Sequence, residues 1–224
     1  MISRSTAVLC AAVIGAAGAV GGCSSDRGSG AAGSEPPAGF SPTAHGEVLD
    51  FGETAHIITV NPDSGAPVYW DVTVERPRTL RPSEVEENIG QDPGAIGLPD
   101  PEETDAPAPK PERYTSFTCF VATFTPVATA QGDYSVTLPT LRTVDRGGGR
   151  ANFVEHGDND YCGVSPDDEV PTFTGDMEIG RAYTQAVVTW EGADDPGIPG
   201  AGVELSTAPD PSLTQVEPQS VRWQ

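Results

Sequence analysis

One short stretch of the sequence carries the residue types of a metal site. Counted from Asp158 as position 1 of a calcium loop, Asp160 takes position 3 and Glu169 takes position 12, as in an EF-hand. Cys162 takes position 5, where an oxygen ligand belongs, and no helical pattern flanks the stretch. The pattern therefore favours a solvated acidic turn, and a calcium-dependent module stays open as an alternative.

Nucleophilic catalysis is the second chemistry to weigh. Cys119 could act as a nucleophile with His156 as its base. No local sequence typical of cysteine enzymes surrounds Cys119, and the serine hydrolase motif Gly-x-Ser-x-Gly does not occur. The three histidines, His45, His56 and His156, are too dispersed for a zinc signature. We therefore predict no catalytic residue, no metal ligand and no cofactor, and a protein that is not an enzyme.

The N-terminal residues predict export and lipid attachment. Arg4 is the only charge before Asp26, and this apolar run is shorter and richer in glycine than the ~20 residues of a membrane-spanning helix. We predict a signal peptide over residues 1–22. Its end, Val20-Gly21-Gly22-Cys23, resembles the bacterial lipobox. The resemblance implies that Cys23 becomes a lipid-modified N-terminus that holds the protein on the extracytoplasmic face of the cell membrane.

The cysteine count agrees with export. Of the four cysteines, Cys10 lies in the predicted signal peptide and Cys23 is the predicted lipid attachment site. Cys119 and Cys162 remain, and two thiols in an oxidising compartment predict one disulfide. In the chain-entropy model, closing this loop stabilises the fold by between ~3 and ~4.7 kcal/mol.

The charge of the chain excludes one class of partner. The 12 Lys and Arg residues stand against 33 Asp and Glu residues, which gives a formal net charge of -21. Because nucleic acids carry negative phosphates, we predict no nucleic-acid surface. The charge favours basic partners or cations, or it only maintains solubility in a salty habitat, and the sequence leaves both explanations open.

Two segments lack the pattern of packed structure. Residues 23–45 are rich in Gly, Ser, Ala and Pro, and they predict a flexible linker behind the anchor. Residues 82–112 hold nine acidic residues, one lysine and seven prolines, and they predict a long disordered acidic loop with at most a helical turn at 84–89. This acidic insert is the candidate contact for an envelope protein or a basic ligand, and a solvated spacer is the alternative.

The remainder of residues 46–224 predicts a single all-β domain. No run of ten or more residues has the helical period, whereas short alternating runs are frequent. In the clearest strand four apolar residues share one face: Val68, Trp70, Val72 and Val74. Such a strand is half-buried, so Trp70 is expected in the core rather than as a ligand platform. Residues 114–128 are apolar on both faces and predict a central strand. Further strands are predicted at 48–51, 55–60, 134–144, 151–155, 181–190, 202–206 and 219–223.

Several of these elements resemble a known group of exported domains. They are Gly52-Glu53-Thr54-Ala55 before a strand, the aromatic-rich strand at 114–124, and Phe173-Thr174-Gly175 followed by Ala186-Val187-Val188-Thr189-Trp190. Together they are similar to the immunoglobulin-like domains of actinobacterial lipoproteins and secreted mycobacterial antigens. The resemblance implies an antiparallel immunoglobulin-like β-sandwich at the cell surface, generally without an assigned activity.

These inferences combine into one functional hypothesis. The sequence predicts a lipid-anchored, non-catalytic binding or interaction module of the cell envelope, attached to the membrane by its lipid alone. A structural envelope spacer without a specific ligand is the alternative from another class. The ligand and the oligomeric state do not follow from the sequence.

Overall fold

A computed structural model describes residues 36–60, 66–96, 113–129, 138–154, 157–171, 177–207 and 219–224. The predicted signal peptide, Cys23, His156, and residues 97–112 of the acidic insert lie outside these ranges. Among the described residues, nine strands form two sheets: β1 (Glu47–Leu49), β2 (Thr54–Val60), β3 (Pro67–Val74), β4 (Arg78–Leu80), β5 (Tyr114–Thr129), β6 (Thr140–Val144), β7 (Tyr183–Gly192), β8 (Gly202–Ser206) and β9 (Ser220–Trp223). Two short helices, α1 (Pro82–Ile89) and α2 (Asp158–Cys162), and a 3-10 turn at Pro93–Ala95 accompany them.

The two sheets face each other as a sandwich. Sheet A has the strand order β1-β9-β8-β6, in which only the β1–β9 pair is parallel among the described strands. In sheet B the long strand β5 pairs with three strands: β3, β4 and β7. Strand β2 pairs with β3. β6 and β7 are therefore edge strands of the two sheets. This architecture confirms the predicted all-β immunoglobulin-like sandwich.

The core between the sheets follows from the alternation of the strands. The four apolar residues of β3 are all buried, and Trp70 is 0% exposed, with its indole N–H donating to Thr59 Oγ1 over 2.8 Å. The prediction that Trp70 lies in the core is thus confirmed. From the facing sheet, Leu205 and Trp223 pack into the same cluster. Because apolar burial contributes ~25 cal/mol per Å², these residues supply most of the driving force for closing the sandwich.

The outer face of sheet B is covered by a second, smaller core. Here α1 and α2 pack on β5 and β7, and the buried residues include Val85, Phe117 and Tyr161. Cys119 of β5 and Cys162 of α2 form the predicted disulfide, with a Cα–Cα distance of 5.8 Å. This bond fixes α2 on the sheet, so both faces of β5 are buried, as expected for a central strand.

The start of the acidic insert departs from the prediction of a disordered loop. Residues 82–89 form α1, which begins with a proline and ends at Gly90 with φ 75°. Glu84 accepts a hydrogen bond from the Arg81 backbone N–H over 2.8 Å, and Val85 is fully buried. A proline in the first turn and a glycine at the end are compatible with a helix. The helical turn that the sequence allowed at 84–89 is therefore part of a longer, packed helix over 82–89, and residues 97–112 lie outside the described ranges.

Other local predictions also need correction. Residues 151–154 form no strand, since only Arg150 makes an isolated bridge to Val144 at the end of β6. The acidic turn at residues 158–162 is a short helix. The last ten residues of the predicted linker, 36–45, contact the sandwich, where the Phe40 ring lies 5.2 Å from that of His56. Within the described ranges, no helix is long and apolar enough to cross a membrane.

Candidate functional site

Two polar side chains of α2, one acidic and one an amide, satisfy part of the edge of β7. The backbone N–H groups of alternate β7 residues point away from β5 and need other acceptors. Asn159 Oδ1 accepts from the Ala186 N–H and Asp158 Oδ1 accepts from the Val188 N–H, each over 2.7 Å. These two side chains at the start of α2 thus replace a neighbouring strand.

A third side chain completes the same edge. Asn152 Oδ1 accepts from the Trp190 N–H over 3.1 Å, and its Nδ2 donates to the Trp190 carbonyl over 2.7 Å. The Asn152 side-chain amide therefore pairs with both the N–H and the carbonyl of Trp190, as the backbone of a residue on a neighbouring strand would. Further along β7, the Thr184 N–H donates to the Asp168 carbonyl over 2.6 Å. Edges satisfied in this way cannot accept a strand from another molecule.

This arrangement accounts for the residues that suggested calcium. Asp158, Asp160 and Glu169 line one shallow cavity of about 280 Å³ beside Gln185. Asp158 directs one oxygen to the β7 backbone rather than into that cavity. Across the described ranges, no group of three or more His, Cys, Asp or Glu side chains is placed to hold a metal. Sequence reasoning found the stretch but missed its structural role, because the hydrogen bonds reach residues about 30 positions away.

The other candidate residues do not assemble into a catalytic group. Cys119 is buried and bonded to Cys162, so it has no free thiol and the nucleophile interpretation is wrong. His56 Nδ1 lies 2.7 Å from Asp71 Oδ1 on the outer face of sheet B. The nearby hydroxyl of Thr43 accepts from the His56 backbone N–H. His45 is exposed, and His156 lies outside the described residues.

A cleft lies between the two edge strands. The edge cleft, as we name this cavity of about 250 Å³ between β6 and β7, is lined by four apolar residues that are buried or half-buried and by three exposed residues, two arginines and one aromatic ring. We call the first set the floor, Leu141, Val154, Ala186 and Val187, and the second set the rim, Arg142, Arg150 and Phe153. Three polar residues, Thr143, Asp158 and Gln185, complete the lining.

The rim is positively charged in a strongly acidic protein. The Arg150 guanidinium carbon lies 4.6 Å from the centroid of the Phe153 ring, which is 47% exposed. A cation over an aromatic face is attracted to it, so the ring orients the guanidinium at the mouth of the cleft. Among the described residues no carboxylate pairs with Arg150. Asp158 also lines the cleft, but its carboxylate is engaged with β7.

The second rim arginine belongs to a charge network on sheet A. Arg142 pairs with Glu204 Oε1 across β6 and β8, and Arg222 Nη2 lies 3.0 Å from Glu204 Oε2. Burial alone raises the pKa of Glu204, but hydrogen bonds from Arg222 and Arg142 outweigh it and lower the pKa below its usual value. The carboxylate therefore stays ionised and fixes Arg142 at the rim.

A glycine turn positions Arg150. Asp145 Oδ1 accepts from the backbone N–H groups of Gly147 and Gly149, over 2.7 and 2.8 Å. Gly148 has φ 81°, and a Cβ there would lie 2.4 Å from Arg222 Nη1. This glycine-rich turn is thus held by one carboxylate and packed on the charge network, and it places Arg150 at the cleft.

Comparison with known proteins adds little to this description. No family model matches the chain, and no significant match exists among curated proteins. Among solved structures, the chain is similar to MPT63, a secreted protein from Mycobacterium tuberculosis, with 11% identity and a TM-score of 0.36. That alignment covers 81% of this chain and 99% of MPT63. The neighbour is a secreted mycobacterial protein, as the sequence resemblance implied, but a likeness this distant assigns neither family nor function.

Proposed function

We propose that this protein is a non-catalytic binding module of the cell envelope, held on the extracytoplasmic face of the membrane by lipid on Cys23. The edge cleft is the observation that carries the proposal. It combines an apolar floor, an exposed aromatic ring and an arginine without a carboxylate partner among the described residues. Unlike a spacer, which needs only a solvated surface, a binding module requires such a concave site.

The nucleophile considered from the sequence, Cys119, is not available for covalent catalysis. Covalent catalysis needs a nucleophile within hydrogen-bond reach of a base that a third group orients. Within the described ranges, the His56 and Asp71 side chains pair with each other, and Cys119 offers no free thiol because it is in the disulfide.

The acidic insert is a second contact surface within the same proposed function. Residues 97–112 carry most of its acidic side chains and suit a basic ligand or a basic patch on an envelope protein. Residues 82–89 belong to the packed layer on sheet B, so a deletion that tests the insert has to spare them. The deletion is therefore best confined to residues 97–112.

Crosslinking on intact cells tests the binding function. Cells would express the full chain, a Cys23→Ala variant, a deletion of 97–112, Arg150→Glu, and Arg146→Glu as a matched exposed control. We expect a recurring crosslinked protein that is lost with Arg150→Glu and retained with Arg146→Glu. Loss only on deletion of 97–112 would assign the contact to the acidic insert, and no recurring partner in any form would refute the binding function.

The anchor is tested separately. An alkyne-labelled fatty acid supplied to the same cells is expected to label the full chain but not Cys23→Ala, and that variant is expected in the medium. Equal membrane association of both forms would refute lipid attachment at this residue.

A further inference from the structure

We infer that the edge cleft binds a short extended peptide in which apolar and acidic side chains alternate, and that this peptide pairs with β6. The inference rests on the proposed binding function and names its ligand class. Three groups meet at the cleft: an unsatisfied strand edge, an apolar floor and a cationic rim. They match the three parts of such a peptide, namely its backbone, its apolar side chains and its carboxylates.

Two edge strands of sheet B, β7 and β2, already have hydrogen-bond partners outside the sheet. The β7 edge is satisfied by α2 and Asn152, as described above. On β2, Thr43 exchanges two hydrogen bonds with the backbone of His56, one through its hydroxyl and one through its N–H. Gln219 Oε1 accepts from the Ile58 N–H over 2.7 Å. A new strand would have to displace these contacts on β7 or β2.

The β6 edge beside the cleft is different. The Thr143 carbonyl accepts from the Ala151 N–H over 3.2 Å, so the peptide groups of Thr143 point away from β8. Groups two residues apart in a strand point to the same side, and those of Leu141 therefore face the cleft. Within the described ranges no hydrogen bond reaches the Leu141 N–H or carbonyl from that side. This position offers one donor and one acceptor to an incoming strand.

The geometry fixes the pattern of the ligand. A ligand residue opposite Leu141 exchanges both backbone hydrogen bonds with it and directs its side chain into the cleft, onto Leu141 and Val187. The next ligand residue lies opposite Arg142, which points to the outer face and is 47% exposed. An acidic side chain at this ligand position would lie beside the Arg142 cation. Arg150, which lies over the Phe153 ring at the rim, offers a second cation to an acidic side chain. Apolar and acidic residues therefore alternate along the ligand peptide.

Two features limit the contact. Pro139 precedes β6 on the same side as Leu141 and has no N–H, so the added ladder is short. The chain as a whole, at -21, repels an acidic peptide. Because charges are screened beyond ~8 Å at physiological ionic strength, this repulsion fades at 0.15 M salt while pairs in direct contact persist. We therefore expect a weak, transient complex.

Fluorescence anisotropy with synthetic peptides tests the inference. The probe is a fluorescein-labelled hexapeptide of alternating glutamate and valine, titrated with the mature chain at 0.15 M salt. We expect saturable binding that weakens at least tenfold with Arg150→Glu and with Phe153→Ser, and that is unchanged with Arg146→Glu. These three side chains are exposed, so the variants are expected to keep the fold, which disulfide formation and circular dichroism would verify.

Backbone methylation gives a readout that charge alone would not produce. N-methyl groups on the valines remove the donors to Leu141 and should abolish binding, whereas N-methyl groups on the glutamates, whose amides point away, should not. A glutamate–serine hexapeptide should bind at least tenfold more weakly than the probe.

The inference is overturned by no saturable binding of the probe, by equal binding of the glutamate–serine peptide, or by equal loss on methylation at either position. If a lysine–valine hexapeptide binds more tightly than the probe, and Arg150→Glu does not change its affinity, the acidic insert is the contact instead. That result would also overturn the inference. Each of these results leaves the proposed function standing if crosslinking captures a recurring partner, so the two failures are distinguishable.

Discussion

Asn152 is the residue through which the edge of β7 can be tested most directly. In Asn152→Ala, the Trp190 N–H loses its acceptor and the Trp190 carbonyl loses its donor. An unsatisfied buried donor costs ~1–3 kcal/mol, and a lost hydrogen bond costs ~0.5–1.5 kcal/mol. Together they lower the free energy of unfolding by about 2 to 4 kcal/mol.

The matched comparison is Asn159→Ala, which removes one hydrogen bond to the same strand. We expect it to lower the free energy of unfolding by about 1 to 3 kcal/mol, less than Asn152→Ala does. Urea unfolding followed by tryptophan fluorescence measures both values, with an unchanged dependence on denaturant. The melting temperature should fall by roughly 5 to 15 °C for Asn152→Ala, given 2–4 °C per kcal/mol for a domain of this size.

The reasoning is refuted if Asn152→Ala stays within about 0.5 kcal/mol of the unchanged protein, the range of ordinary surface substitutions. A larger loss for Asn159→Ala than for Asn152→Ala would also refute it.

A second readout is association, because an uncovered strand edge invites pairing with another chain. We expect Asn152→Ala, but not the unchanged protein, to form larger species at high concentration in light scattering.

Four further predictions concern other parts of the fold. Because the folded pKa of Glu204 is lowered, its stabilisation is present above the unfolded pKa and is lost as the pH falls through the folded value; the unfolding free energies of the unchanged protein and Glu204→Gln should therefore converge as the pH falls through the folded pKa of Glu204. Reducing the bond between Cys119 and Cys162, or replacing both by Ala, should cost about 4 kcal/mol, and neither cysteine should react with iodoacetamide before reduction. Gly148→Ala should destabilise the fold by ~1–2 kcal/mol or more, because φ is 81° there and the new methyl meets a guanidinium, which thermal melts would show. Calcium up to millimolar levels should leave the melting temperature unchanged if the 158–169 stretch serves β7, and an increase would revive the calcium-dependent module.

The core strands were predictable because their signal is local. In β3, every second residue is apolar, and this alternation alone places Trp70 and Val72 inside. β4 is only three residues long and contains one apolar residue, Leu80, so no alternation marks it. Helix α1 was allowed only as a helical turn at 84–89, and its packing on sheet B was not predicted, since its buried contact depends mainly on Val85. The disulfide was predictable from counting, because the predicted signal peptide and the predicted lipid attachment site account for the other two cysteines.

The edge contacts were not predictable, since their partners are distant in sequence. Asn152 is 38 positions from Trp190, and Gln219 is 161 positions from Ile58. What the sequence does show is a cluster of short polar side chains at residues 152–160, which is typical of groups that bond to backbone. Read as backbone acceptors rather than as metal ligands, these residues would have pointed to an edge strand.

The protection of β7 also shapes the edge cleft. The cleft has β6 on one side and β7 on the other, yet the β7 amides are already bonded to Asn159 and Asp158. A strand entering the cleft can therefore form its ladder only with β6, at Leu141. The disulfide and α2 hold the β7 side in place, whereas β6 is held by β8 and by the Glu204 network. The same side chains that prevent unspecific pairing on sheet B thus direct a ligand to one edge of sheet A, so Asn159→Ala, which uncovers the Ala186 N–H, should lower both the stability of the fold and the selectivity of the peptide for β6.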